Sequence, residues 1–415
     1  MTIADKLKQI KQSTDAIKAS ATALTGEVQT DLTSIATELD KFNPANATDL
    51  LAKLGYDSTN APDLYNALLN SLEERESYQD DTTVLLPKLT LDENGVYQVN
   101  LNMFKNSTIL TVPKGKYHTQ TIFSSVFQNC TSLLWIPDVE FSSPSNDYPC
   151  NQTFSGCTAL RTVGNLSAKG CNSAYYMFEG CTNLESIASL DTGNVTIMGY
   201  MFSGCKKLKS IPQLDTSNVT DMGRIFEDCS ALTSVPQLDY SSVTNMNYGF
   251  SSCAGLTTIP DLNLESATSL NSLFDACSNI VTVGKLNTPK LLSLNAMFYN
   301  CKNLKKIESI DVQSVNNTAS LAGYSNMPNL KYIVLKNLGQ SNLSSWDFSR
   351  LTNWGVNDST YTDAKQSLLD TLITYSYDRV SAGKGACTVK LSSTTKALLT
   401  DDEITQIATK GYTIA

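Results

Sequence analysis

The stretch MFSGCKKLKSIPQLDTSNVTDMGR, residues 201–224, is one copy of a 24-residue unit, and its repetition decides the fold. Cys157, Cys181, Cys205, Cys229, Cys253, Cys277 and Cys301 follow one another at intervals of 24, and Cys130 stands 27 before Cys157. Three residues before each cysteine is a phenylalanine: Phe127, Phe154, Phe178, Phe202, Phe226, Phe250, Phe274 and Phe298. Three after each is leucine, with Ile280 the exception, and three further on is isoleucine or valine. Self-similarity this strict builds a solenoid, in which each unit buries its apolar face only against its neighbours. The repeat core is therefore Phe178, Cys181, Phe202, Cys205, Phe226, Cys229, Phe250, Cys253 and their equivalents.

Within a unit, Val195, Met198, Met201, Phe202 and Cys205 step by 3, 3, 1 and 3, which predicts one face of a short helix. Asn194, Asn218 and Ser242 precede that helix as N-cap residues. Leu208, Ile211 and Leu214 suit a short strand and an arc, and LDTSN (214–218) a turn. The expected fold class is an α/β solenoid of 24-residue repeats, each helix, short parallel strand and turn, with strands about 4.8 Å apart. In helical phase the residue five before each cysteine points outward. In four successive units it is Tyr176, Tyr200, Arg224 and Tyr248. This strip is the candidate binding surface, since Tyr and Arg are enriched at interaction hot spots. Tyrosines lying over their own helix give the same pattern.

The pattern MFxxCxxLxxIPxLDTSxVTxM resembles the BspA-like leucine-rich repeats of bacterial surface proteins and of fibres of gut bacteriophages. The resemblance covers residues 126–320 and speaks to fold; as to function it implies only a scaffold for varied partners.

Of the 415 residues 41% are hydrophobic, enough for ordered structure throughout, and the formal net charge is −9. That balance argues against nucleic acid and against docking on an anionic membrane. Eight of the 11 cysteines fill the repeated core position, where cysteine acts as a small apolar residue with a free thiol. Cys150, Cys171 and Cys387 show no C-x-x-C spacing. No metal and no cofactor is expected: His118, in the turn-like stretch KGKYHTQ, is the single histidine. Asp191, Asp215, Asp239 and Asp311 recur at one turn position, which suits turn hydrogen bonds better than calcium. No nucleophile motif or phosphate loop is present, so no enzyme is expected.

In chain order, residues 1–40 read as an N-terminal helix. Ile3, Leu7, Ile10, Ile17, Leu24 and Val28 fall on a heptad seam that predicts a coiled-coil anchor, with a homotrimer favoured. Residues 41–80 form a connector of short helices. Residues 81–125 form the N-terminal cap, with a hairpin and a degraded first repeat around Phe104, Leu110 and Val112. Residues 126–350 form the leucine-rich-repeat solenoid, with a loop inserted near 141–148. Residues 351–415 form a small α+β C-terminal cap, in which Thr400 and Glu403 make a capping box. No export signal and no membrane-spanning run is read from the sequence.

Taken with the resemblance, these features lead to the expectation of a non-enzymatic bacteriophage fibre or virion appendage. Its N-terminal helix would join other virion proteins and its solenoid would meet a bacterial surface protein or glycan. The alternative is an adhesin of the bacterial cell surface.

Overall fold

The computed structural model describes residues 96–99, 102–107, 109, 112, 115–119, 124–142, 148–167, 170–316, 327–340, 343 and 345–415. The expected N-terminal helix with Ile3, Leu7, Ile10, Ile17, Leu24 and Val28, the connector, the first strand of the hairpin and the tip of the inserted loop lie outside the described residues.

The chain winds as a β-solenoid of about twelve coils. Among the described residues α-helix occurs only in the C-terminal segment, so the expected helix of each repeat is corrected to a string of tight turns. Where the amide hydrogens go explains the difference. In a helix every N–H would bond four residues back. Here Tyr176, Phe178 and Gly180 donate instead across to Gly199, Met201 and Ser203 of the next coil. The alternate residues Met177, Glu179 and Cys181 each donate three residues back. Tyr176 (φ 60°) and Gly180 (φ 70°) are left-handed, and such a pair recurs in successive coils from Asn102 and Asn106 to Ala296 and Asn300. A positive φ at the third residue of an i→i+3 turn is the mark of a type II turn, and it bars a continuous helix. The expected helix caps are corrected with it: Asn218 Nδ2 donates to Gly193 O and Ser242 Oγ to Ser217 O, one coil back.

The core is the expected one. The phenylalanines from Phe104 to Phe298 stack ring on ring, with centroids 5.3–5.7 Å apart. From Phe127 to Phe298 each is at most 1% exposed. Phe104 and Val112 belong to a first coil, and Met327 takes the cysteine place in a last one. Beside the rings runs a second row. Each repeat cysteine donates its Sγ–H to the carbonyl of the phenylalanine one coil back, as in Cys205 to Phe178 O (3.2 Å) and Cys229 to Phe202 O (3.0 Å). Cysteine suits the position because it is apolar and small, yet brings one donor for a carbonyl buried in the core.

Opposite the phenylalanines lies the strand side, entirely parallel. One sheet holds Val96–Val99, Gly115–Thr119, Trp135–Ile136, Val139–Ser142, Thr162–Ser167 and Ser186–Asp191. A second holds Thr258–Ile259, Leu262–Asn263, Thr282–Asn287, Lys306–Asp311 and Tyr332–Lys336. Val96–Val99 pairs in parallel with Gly115–Thr119 as part of the first coils, and His118 lies in that second strand rather than in a turn.

The C-terminal segment is α+β. Ser345–Phe348, Cys387–Leu391 and Tyr412–Ile414 form a parallel three-stranded sheet with short helices Ala364–Leu369, Ser393–Lys396 and Asp401–Thr409. Thr400 and Glu403 make the reciprocal capping box. This unit seals the last coil: Leu335 N–H donates to Thr371 Oγ1 and Asn337 N–H to Tyr375 O.

Candidate functional site

The strip predicted from the sequence is contiguous. Its four residues occupy the first left-handed position of successive turns, each φ between 56° and 60°. The coil-to-coil bonds of those turns hold them one strand spacing apart. Tyr176 and Tyr200 stack with centroids 4.4 Å apart, and Tyr175 packs edge-on against both. The Arg224 guanidinium lies between two rings, 5.5 Å from the centroid of Tyr200 and 4.0 Å from that of Tyr248. It also pairs with Glu227 at 2.5 Å.

The four side chains are half-buried rather than freely exposed, because each covers its neighbour. The Tyr175 hydroxyl beside Tyr176 raises the Tyr176 pKa, and burial raises that of Tyr200. Tyr176 and Tyr200 therefore keep their phenols neutral, as donors and acceptors. The strip ends on both sides at smaller or flexible residues, Gln152 before it and Ser272 and Ala296 after it.

The other candidates take structural roles. Asp191, Asp215, Asp239 and Asp311 each accept the amide two residues on, from Gly193, Ser217, Ser241 and Gln313. Ser217 and Ser241 hold the carboxyls of Asp215 and Asp239 below the usual range. Among the described residues no three His, Cys, Asp or Glu side chains converge as a metal site would require. Burial pushes the thiols of Cys181, Cys205, Cys229, Cys253, Cys277 and Cys301 up, that of Cys277 to about 12, so they are poor nucleophiles. No helix among the described residues is long and apolar enough to cross a membrane.

Sequence reasoning missed one bond. Cys150 and Cys171 form a disulfide with Cα atoms 6.0 Å apart, joining adjacent coils beside the inserted loop. Neither cysteine is in the repeat register, and only that shared irregularity sets the pair apart in the sequence.

A search of curated proteins finds no match. Among solved structures the chain is similar to a leucine-rich repeat protein from Bacteroides ovatus, at 17% identity and a TM-score of 0.34 over 80% of this chain and 92% of that one. It is also similar to the leucine-rich repeat protein of T. pallidum, at 15% identity and a TM-score of 0.22 over 58% of this chain and 88% of that one. The family described as "Mycoplasma protein of unknown function, DUF285" matches three overlapping stretches, residues 148–259, 230–332 and 268–367, which together cover just over half of the chain. With its 24-residue coils, stacked phenylalanines and this match, the chain belongs to the DUF285 family of BspA-like leucine-rich repeats.

Proposed function

We propose that the chain is a non-enzymatic binding scaffold that presents Tyr176, Tyr200, Arg224 and Tyr248 to a macromolecular partner. The observation that carries this reading is the unbroken Tyr–Tyr–Arg–Tyr stack on four adjacent coils. A stack of this kind fixes large side chains before a partner arrives, which lowers the entropy cost of binding. Its inner ring faces are occupied by neighbours, so it offers ring edges and hydroxyls. That chemistry suits a protein surface better than a glycan, which would stack on open ring faces.

In the setting we propose, the rod is a fibre or appendage of a bacteriophage particle, assembled in the host cytoplasm. The segment with Ile3, Leu7, Ile10, Ile17, Leu24 and Val28 anchors it to other virion proteins as a homotrimer, and the solenoid meets the bacterial surface. The second reading, an adhesin of the bacterial cell surface, is favoured by one observation. The Cys150–Cys171 disulfide belongs to an oxidising, extracellular setting.

The test replaces Tyr176, Tyr200 and Tyr248 together by Ser in the full chain. Binding to bacterial cells should fall at least tenfold, while the loss of stacking costs about 0.5–1.5 kcal/mol per aromatic pair and leaves the fold intact. Undiminished binding by a folded triple variant would exclude the strip as the docking surface.

A further inference from the structure

The two sheets of the strand side are separated by a gap. Ser186–Asp191 ends the first and Thr258–Ile259 begins the second, and the two coils between them, at 210–215 and 234–239, carry no strand. On the turn side the same coils are fully bonded, with Phe202 N–H donating to Ile225 O and Phe226 N–H to Gly249 O. The second seam of single bridges, Ile197 to Asp221 to Asn245, also runs through unbroken. Three successive seams therefore lack a strand ladder on one side only, and the middle one keeps a single backbone bond there, Thr233 N–H to Lys209 O.

Among the coils from Cys130 to Cys301 one sequence position tracks which seams open; the preceding seam, in which Gly115–Thr119 closes against Val139–Ser142, has Pro113 in that column and no glycine, so the correlation is confined to these coils. Seven residues after the cysteines the chain reads Pro137, Gly164, Ala188, Pro212, Pro236, Pro260, Gly284 and Glu308. Each seam between these coils that contains a glycine is closed: Pro137 with Gly164, Gly164 with Ala188, Pro260 with Gly284, and Gly284 with Glu308. The three without one, Ala188–Pro212, Pro212–Pro236 and Pro236–Pro260, are open. The next glycine-free seam, beyond Glu308, closes only with a register shift between Ile307 and Ile310.

Contact distances give the reason. A Cβ built on Gly164 would lie 2.9 Å from Pro137 C, and one on Gly284 would lie 2.7 Å from Pro260 C. Closure at this position brings two backbones too near for a side chain. Proline adds the loss of an N–H that the ladder needs. Between the last two open coils a small apolar cavity reaches from Val235, Pro236 and Pro260 down to Phe250.

The strip lies on these same four coils. Its three contacts, Tyr176 with Tyr200, Tyr200 with Arg224 and Arg224 with Tyr248, span the three open seams one for one. We infer that these coils form a hinge in the rod, propped open on the strand side by side chains stacked over proline and strapped on the turn side by the Tyr/Arg strip. The hinge stands or falls independently of what the strip binds.

The test is deuterium exchange of the full chain, read peptide by peptide. Peptides covering 210–215 and 234–239 should exchange at least tenfold faster than those covering 282–287 and 306–311. Pro236→Gly places a glycine in two open seams at once and should slow the first pair at least threefold. Gly284→Ala, the converse change, should speed exchange at 282–287. Tyr200→Ser with Arg224→Ser should speed 210–215 and 234–239 further. Equal protection of the two pairs of peptides in the native chain overturns the hinge. So does a folded Pro236→Gly variant with unaltered exchange, or a Gly284→Ala variant still fully protected at 282–287. Unaltered exchange in the Tyr200/Arg224 variant overturns the strap.

Discussion

The turn side and the strand side of each coil are made by the same 24 residues, yet only one of them is continuous. On the turn side, among the described residues, each coil up to that of Phe298 bonds the next, because the donors there are backbone groups in turns that any coil can form. On the strand side bonding depends on which residue lies directly above which, one unit away in sequence. The lesson is that a solenoid has two kinds of sequence rule. One acts within a repeat and sets the core; the other acts between repeats and sets how tightly the coils close.

This contrast can be broken most severely from the turn side. Six thiols there are held protonated by burial, above their ordinary value of 9.0. A folded pKa above the unfolded one stabilises below pH 9, and that stability is lost as pH rises toward the folded values. At pH 10 each buried thiol costs on the order of 1 kcal/mol, and the six together several kcal/mol. That is a large part of the whole stability of an ordinary domain, roughly 5–15 kcal/mol. Circular dichroism should record cooperative unfolding between pH 9 and 11, and a Tm unchanged to pH 10.5 would refute it.

Cavity mutations sharpen the same contrast. Phe226→Ala, in the middle of the ring stack, should cost about 3–5 kcal/mol in denaturant titration. Val235→Ala, half-buried over the open seam, should cost roughly 1 kcal/mol. Equal losses at the two positions would mean that the sides are equally packed.

The disulfide lies between these extremes. Cys150→Ser with Cys171→Ser should lower stability by about 2–4 kcal/mol, which a melt with and without reductant would reproduce in the native chain.

The smallest effect belongs to the C-terminal unit. Lys331 and the amides of Thr360 and Tyr361 hold the Asp358 carboxyl at about 2, below its ordinary 3.8. Its stabilisation is present above pH 4 and lost as pH falls toward 2. Asp358→Asn should therefore flatten the fall of Tm across that range, and an unchanged slope would dismiss the interaction.

The solenoid and its core were legible because the fixed spacing of Phe, Cys and Leu states directly which residues meet. The helix was misread for a physical reason. Apolar steps of three fit a helical face, but they fit consecutive three-residue turns equally, and nothing in a tyrosine announces a left-handed backbone. The strip was found by an outward phase that turns and helix share, while its mutual stacking depends on side-chain packing that spacing does not contain. The Pro–Gly rule was present in the sequence at Pro137, Gly164, Pro260 and Gly284. It becomes visible only when residues are compared down the column of coils rather than along the chain.

The constant interval of the ring stack also bears on heredity. Excision of residues 206–229 would join Cys205 to Ser230 and set Phe202 directly against Phe250, with the equivalent partners on every row. No core position would be left unfilled, and the rod would shorten by one strand spacing, about 4.8 Å. Unequal recombination between units can thus lengthen or shorten the reach of this protein in whole steps, and each step adds or removes one residue of the outward strip without disturbing the interior.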